Sequence, residues 1–107
     1  MGEFKEMYDR HIFAVRDEID ALKENEEAFY KYFDDVLDVE YRVDYRCDFL
    51  GAYIWVEIGG PTTYIDTLQN EVVSSWGGYK QRATLDDDVC RMIEDYFEEH
   101  YNTIRGR

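Results

Sequence analysis

Carboxylates are the most plentiful reactive groups in this sequence, and two clusters of them could in principle bind a metal ion. One cluster contains Asp17, Glu18 and Asp20, and the other is the triplet Asp86–Asp88. Neither has the alternating oxygen ligands, central glycine and terminal glutamate of a calcium-binding EF-hand loop. Neighbouring residues of a helix also point in different directions, so such a cluster does not converge on one ion. We therefore expect solvated or helix-capping acids, with no metal and no other cofactor.

Histidine and serine are no better placed for catalysis. His11 and His100 stand near opposite ends of the chain, and neither has a second ligand at metal-binding spacing. Glu98, Glu99 and His100 could form a base with an orienting partner, but no serine or cysteine nucleophile lies in a strained turn motif beside them. The Gly-Gly-Pro sequence at positions 59–61 lacks the lysine and the following helix of a phosphate-binding loop, so we interpret it as a hairpin connection. The sequence predicts that the protein is not an enzyme.

The net charge excludes several kinds of partner. The 107 residues carry 25 acidic and 12 basic side chains, for a formal charge of −13. Nucleic acids and anionic membranes bind surfaces rich in lysine and arginine, so we exclude both as direct ligands. The sequence has no apolar stretch long enough to span a membrane, and Cys47 and Cys90 are not spaced as a metal-binding or redox pair. We expect a cytoplasmic protein in which both thiols are reduced and buried.

A single α+β domain over residues 1–107 is expected to position these side chains. Apolar residues recur at helical spacing from Phe4 and Met7 to Leu22, and a second helical pattern follows the polar run at residues 23–27. The sequence leaves open whether residues 3–37 form one long helix or two pieces.

An antiparallel sheet is predicted after the N-terminal helical segment. Apolar and charged residues alternate from Val39 to Cys47, which predicts a half-buried strand, and a turn is expected around residues 49–51. Three further strands are predicted at residues 52–58, 62–66 and 71–76. A short fifth strand at residues 79–83 is an open alternative. The short connections favour a meander of four strands.

The C-terminal helix has the clearest sequence pattern. Thr84 or Asp86 is expected to cap it, and an apolar stripe from Val89 to Tyr101 is expected to pack on the sheet. Residues 103–107 are polar and basic, and we expect them to be a frayed tail.

Negative charge is concentrated on the predicted helices. Acidic residues outnumber basic residues by 12 to 5 over residues 1–38 and by 7 to 3 over residues 86–107, whereas the strands between them are nearly balanced. Acids at helical spacing form rows about 5–6 Å apart, a scale similar to that of phosphates along a nucleic-acid strand. The acidic candidates for partner binding are Asp17, Asp20, Glu24, Glu27, Glu94, Asp95 and Glu98. The alternative is an acidic helix face that serves only solubility.

The sheet provides a second candidate surface. If Ala52, Ile54 and Val56 face the helices, the residues that alternate with them face the other way. The aromatic candidates on this second face are Tyr53, Trp55, Tyr64 and Trp76. Tyrosine and tryptophan give large contact areas at low entropic cost, so this face could bind a partner protein or a second copy of the chain. A helix that covers this face is the remaining alternative.

Three segments of the sequence carry a resemblance to a known group of proteins. They are YFDDVLDVEY at residues 32–41, IGGPTTYIDT at 58–67 and IEDYFEEHYN at 93–102. Through them, the stretch from Tyr30 to Asn102 resembles small, uncharacterised acidic proteins of phages and conjugative elements in gut Firmicutes. Where such proteins have a second tryptophan-rich strand, this chain has VVSSW. The resemblance implies a mobile-element setting, in which small acidic proteins often inhibit host defence nucleases.

The sequence therefore predicts a non-enzymatic binding protein. Its expected partner is a basic surface on another protein. In the sharpest hypothesis the protein is a counter-defence inhibitor of the anti-CRISPR or anti-restriction type, whose carboxylates mimic nucleic-acid phosphates in a nuclease channel. The alternative is a structural or assembly protein that forms a homodimer through its aromatic sheet face.

Overall fold

The computed structural model describes residues 2–106, with side chains from residue 5 onward, and the fold is α+β, as the sequence predicts. Over these residues the elements in chain order are α1 (Gly2–Ala21), a 3-10 turn (Leu22–Glu24), α2 (Glu26–Asp34), β1 (Asp38–Val43), β2 (Phe49–Glu57), β3 (Thr62–Asp66), β4 (Glu71–Trp76), β5 (Tyr79–Thr84) and α3 (Asp87–Ile104). The strands form one sheet in the order β1-β2-β3-β4-β5, and each neighbouring pair is antiparallel. The sheet has five strands rather than the expected four, because β5 pairs along the whole length of β4.

The N-terminal helical segment is divided into two helices. The backbone of Asn25 is extended, which ends the 3-10 turn, and its side-chain oxygen accepts a hydrogen bond from the N–H of Ala28 at 3.1 Å. Asparagine is a favoured residue at the start of a helix because its side chain satisfies one of the unpaired N–H groups of the first turn. The polar run at residues 23–27 therefore marks the end of one helix and the beginning of the next.

The first hairpin differs from the prediction. The first strand ends at Val43 rather than at Cys47, and the next strand already begins at Phe49, where a turn was expected. Asp44 organises the connection because its Oδ1 accepts the N–H groups of Arg46 and Asp48 at 2.8 and 3.0 Å. Cys47 lies in this turn with a φ of 64° and is exposed, so the prediction that its thiol is buried was wrong.

All three helices pack on one face of the sheet. The inward-facing residues cross the sheet in register through Ile54, Ile65, Val72 and Ala83. The buried residues that the helices contribute to the same core include Ile12, Ile19, Phe29, Phe33, Ile93 and Phe97. Each large apolar side chain contributes about 1.5–3 kcal/mol when fully buried, so this core holds the helical layer on the sheet. None of the described helices covers the opposite sheet face.

The C-terminal helix begins and ends with specific contacts. Asp86, one of the two predicted candidates, is its N-cap, and its Oδ1 accepts the N–H of Asp88 at 2.8 Å. The helix continues through Ile104, inside the segment that was expected to fray. Tyr101 and Arg105 both donate hydrogen bonds to the carbonyl oxygen of Cys47, which ties this end of the helix to the first hairpin. The last residue of the predicted tail, residue 107, lies outside the described residues.

Candidate protein-binding surfaces

The sheet face opposite the helices carries a cluster of aromatic residues. The ring centroid of Trp55 lies 5.4 Å from that of Tyr64 and 6.2 Å from that of Tyr53, and the two tyrosine rings are 5.6 Å apart. The guanidinium of Arg42 lies 5.1 Å from the centre of the Tyr53 ring. All three rings are half-buried although no described helix packs on them. We call this surface, centred on Tyr53, Trp55 and Tyr64, the open sheet face.

Trp76 does not belong to the open sheet face, which corrects the sequence-based grouping. Side chains alternate along a strand, and Val72 and Ser74 of the same strand are directed towards the helices. Trp76 follows the same alternation, and its ring centroid lies 6.2 Å from that of Tyr8 in α1. The sequence did not reveal this because Val72 and Val73 are both apolar, so only the pairing between strands defines the inward residue.

The acids of the first helical segment do not form the single row that the sequence predicts. The four residues concerned are Asp17, Asp20, Glu24 and Glu27. The first helix ends at Ala21, so these residues are distributed over α1, the 3-10 turn and α2. Asp17 is 3.1 Å from Arg16, and Asp20 accepts the backbone N–H of Asp86 at 2.9 Å. Two of the four carboxylates are therefore already engaged, one of them in holding the start of α3.

The acids of α3 form an exposed negative surface. Burial and the nearby charges of Asp95 and Glu98 raise the pKa of Glu94, while Arg91 acts in the opposite direction. Asp95 and Glu98 are exposed, and neither they nor Glu94 form an ion pair with another described residue within 4.0 Å. Burial is the largest cause of this raised pKa and repulsion between the acids the second, so Arg91 offsets the negative charge of this surface only in part.

A groove between α2 and α3 joins this negative surface to one exposed and one half-buried tyrosine ring. It has a volume of about 330 Å³, and five residues of its wall are Glu26, Tyr30, Asp95, Tyr96 and Glu99. Lys23 also lines the groove, and its ammonium is paired with Asp86 at 2.8 Å. The two tyrosine ring centroids are 5.8 Å apart. The charge of Glu26, a hydrogen bond to Glu26, burial and the charge of Glu99 all raise the pKa of Tyr30, so carboxylates lie close to this ring. We call this feature, defined by the five residues above, the acidic groove.

The acidic groove was not predicted from the sequence. Tyr30 and Tyr96 follow the apolar patterns of two different helices, and nothing in either pattern indicates that the two rings meet. The spacing of Glu26 and Tyr30, four residues apart on one helix, was the only local signal.

A chain of hydrogen bonds runs from the surface into the core at the other end of the helical layer. His11 Nε2 lies 2.8 Å from Glu57 Oε1, and the hydroxyl of Thr63 donates to the same oxygen at 2.5 Å. Thr63 Oγ1 is 2.8 Å from Ser74 Oγ, which accepts a hydrogen bond from the hydroxyl of Tyr8 at 3.2 Å. Thr63 and Ser74 are fully buried, so a substrate does not reach either hydroxyl. This chain holds α1 on the sheet and satisfies polar groups that would otherwise be buried without partners.

The described residues provide neither a metal-binding cluster nor a helix that could cross a membrane. Within residues 2–106, no three histidine, cysteine or carboxylate side chains come together as a set that could hold a metal ion. None of the helices over the same residues combines the length and the hydrophobicity that crossing a bilayer requires.

Comparisons with known proteins find no relative of this chain: no family model matches it, and neither the curated proteins nor the solved structures include a match. Function must therefore be inferred from the geometry and charge of the two surfaces, the acidic groove and the open sheet face.

Proposed function

We propose that the protein binds a basic surface of another protein through the acidic groove and the adjoining acids of α3. The observation that supports this most directly is the combination of two neighbouring tyrosine rings, one exposed and one half-buried, with flanking carboxylates in one concave site. Tyr30 and Tyr96 provide the rings, and Glu26, Asp95 and Glu99 provide the carboxylates.

Such a site suits a lysine or arginine side chain. A cation over the face of an aromatic ring is stabilised by about 0.5–2 kcal/mol, depending on how far the contact is desolvated. A carboxylate beside the ring adds a charge-assisted hydrogen bond, which is stronger than a neutral one. Glu94 lies beside the groove on the adjoining surface of α3, and its pKa is raised by burial and by neighbouring acids, so a partner cation bound to that surface would also relieve repulsion between these acids.

A protein that normally binds nucleic acid is the partner that this surface fits best. Its cationic channel is built to receive regularly spaced negative charges. Asp95 and Glu99 are four residues apart on one helix, as are Glu94 and Glu98, so their carboxylates repeat about every 5–6 Å. In this proposal the protein is a nuclease inhibitor of the anti-CRISPR or anti-restriction type, and the acids of α3 occupy the channel in place of phosphates.

Cleavage assays with purified nucleases test this proposal. A panel of restriction endonucleases and CRISPR effector nucleases would be assayed on plasmid DNA, with and without the protein, at increasing salt concentration. We expect inhibition of at least one nuclease, and we expect it to weaken steeply as salt rises because the attraction is electrostatic. Inhibition that salt does not change, or no inhibition across the panel, would contradict the proposal.

Two matched sets of charge reversals separate a specific site from general charge. The first set changes Glu94, Asp95 and Glu98 to lysine. The control set changes Glu6, Glu18 and Asp35 to lysine, which are exposed residues of α1 and the end of α2. Each reversal adds two positive charges, so both sets bring the formal charge from −13 to −7. We expect only the first set to abolish inhibition; equal loss from both sets would show that net charge alone is responsible.

A pair of tyrosine substitutions tests the acidic groove without changing charge. Tyr30 is 46% exposed, and we expect Tyr30→Ser to weaken binding because the partner's cation loses a ring. Tyr45 is 87% exposed in the first hairpin and does not line the groove, so Tyr45→Ser is the control and should bind normally. Equal binding by both variants would show that the acidic groove is not part of the binding site.

A further inference from the structure

We propose that a second copy of this chain packs face to face on the open sheet face, forming a symmetric dimer. This inference concerns a different surface from the acidic groove and does not depend on the proposed function. Three half-buried aromatic rings lie on this face, and no described helix covers them. The strand register, the distribution of charge and the available area all favour a second copy as the occupant.

The central row of outward residues on the open sheet face is complementary to the same row in a second copy of the chain, when that copy faces it with the row running in the opposite direction. Strand pairing places five outward residues side by side across the sheet, in the order Asp38, Trp55, Tyr64, Val73 and Arg82. The two ends of this row carry opposite charges, and its middle residue, Tyr64, is aromatic. The large Trp55 lies on one side of Tyr64, and the small Val73 lies on the other.

A two-fold axis parallel to the strands, between two facing sheets, reverses this row. Asp38 then lies over the partner's Arg82 and Arg82 over the partner's Asp38, while Tyr64 at the centre meets its own copy. Trp55, the largest side chain in the row, lies over the position of the partner's Val73, which is fully buried, so it contacts the neighbouring side chains that cover this valine. A two-fold interface requires this reciprocity, since residue i contacts residue j and residue j contacts residue i. Packed sheets lie about 10 Å apart, which leaves room for these side chains to meet between them.

Charge also favours a second copy over a basic partner on this face. The outward carboxylates are those of Asp38, Glu40, Asp66 and Glu71. The outward cations are those of Arg42, Lys80 and Arg82. The face therefore has a net charge of −1, although the whole chain carries −13. Two copies of so acidic a protein repel each other at most surfaces, but not where the charges are nearly balanced and arranged in opposite order at the two edges.

The area of the face indicates how tight the dimer is. Five strands about 4.8 Å apart and about 20 Å long give a projected area of about 500 Å². This places the contact towards the small end of stable interfaces, for which about 800 Å² is buried per partner. We therefore expect a weak, reversible dimer rather than an obligate one.

Sedimentation equilibrium of the full chain tests the dimer directly, over protein concentrations from about 1 to about 500 μM. We expect the mean mass to rise from one chain to two across this range. Trp55→Glu should keep the protein monomeric, because it places a charge at the centre of the contact. Trp76→Glu is the matched control, since Trp76 lies on the helical side of the sheet, and it should still dimerise. Circular dichroism of each variant checks that it is folded.

A charge exchange tests the pairing itself. Asp38→Arg and Arg82→Asp should each weaken the dimer about tenfold, because each places like charges opposite one another. The double variant restores opposite charges between the two copies and should bind more tightly than either single variant, but more weakly than the wild type because the ion pair of Arg82 with Glu71 within each copy is lost.

Three results would overturn the proposal: a wild-type protein that stays monomeric up to the highest concentration, a folded Trp55→Glu variant that still dimerises, or a double variant no better than the single ones.

Discussion

Lys23 Nζ lies 2.8 Å from Asp86 Oδ2, so the break between the two N-terminal helices is joined to the N-cap of α3. The same capping residue donates its backbone N–H to Asp20 Oδ1 at 2.9 Å. These contacts place the 3-10 turn against the start of the last helix. They therefore help to set α2 beside α3, which is the arrangement that forms the acidic groove.

Lys23→Met should lower the stability of the fold at neutral pH, by a small amount because solvent screens both groups. The hydrogen bond from Lys23, and then that from the N–H of Asp88, lower the pKa of Asp86 below its ordinary value of 3.8. The same hydrogen bond raises the pKa of Lys23 above its ordinary value of 10.5. Urea unfolding at several pH values would measure the difference between variant and wild type.

The pH dependence of that difference has a defined direction. The carboxylate has a lowered pKa in the folded state, so its contribution is present above pH 3.8 and is lost as the pH falls through the folded value. The ammonium has a raised pKa, so its contribution is present below pH 10.5 and is lost as the pH rises further. Lys31→Met, at an exposed position of α2, is the control, and its stability difference from the wild type should not follow this pH dependence. A difference that is constant at every pH would contradict the role of this pair.

Glu94→Gln should stabilise the fold at neutral pH. Burial and the charges of Asp95 and Glu98 raise the pKa of Glu94 above its ordinary value of 4.5, so its ionisation costs stability as the pH rises through and above that value. The amide removes this cost, with a gain of at most about 0.5 kcal/mol because solvent still screens this half-buried group.

Chemical denaturation at pH 7 and at pH 3 would measure the gain from Glu94→Gln, which should vanish at the lower pH, where the wild-type carboxyl is protonated. Glu6→Gln removes one charge from α1 and should not stabilise. If Glu94→Gln were neutral or destabilising at pH 7, the acids of α3 would not repel one another as we infer. A stabilising variant that also binds its partner less well would indicate that this repulsion is retained for function.

Ser74→Ala should destabilise the fold by about 1–3 kcal/mol, because it removes the acceptor for the buried hydroxyl of Tyr8. The same substitution in a Tyr8→Phe background should cost less, since that hydroxyl is then absent. A double-mutant cycle of urea unfolding free energies would measure the coupling. Ser75→Ala is the control on the opposite sheet face and should change stability by no more than about 0.5 kcal/mol. Independent effects of the two core substitutions would contradict a direct hydrogen bond.

The two thiols should differ in reactivity towards iodoacetamide. Cys47 is exposed in the first hairpin, whereas Cys90 is buried. Burial, and then the nearby charge of Glu94, raise the pKa of Cys90 to about 12, so little of it is present as the reactive thiolate at pH 8. Mass spectrometry should detect one modification per chain in the native state, at Cys47, and two in urea. Equal labelling of both thiols in the native state would contradict the buried position of Cys90.

Elements whose residues specify their own geometry were predicted closely. The third and fourth strands have the predicted bounds, and Asp86 caps the last helix as expected, because alternation, helical spacing and capping depend only on neighbouring residues. The first hairpin was misplaced by several residues. Alternation continues through Arg46 and Cys47 in the sequence, but the side chain of Asp44 binds two backbone N–H groups and turns the chain before the pattern ends.

The candidate sites were predicted less completely than the elements. Tyr53, Trp55 and Tyr64 meet as expected because they alternate with a clear inward row. Trp76 was assigned to the wrong face because Val72 and Val73 gave no alternation from which to define its side. The acidic row was interrupted because Asn25 caps a new helix within it.

The sequence by itself determined the acidic charge, the type and order of most elements, and the apolar stripe of each helix, because these depend on composition and on spacing along the chain. Only the tertiary structure decided that Tyr30 meets Tyr96 and that Asp38 and Arg82 stand at opposite ends of one row. Such relationships depend on how helices dock and how strands register, and both are set by packing between residues far apart in the sequence.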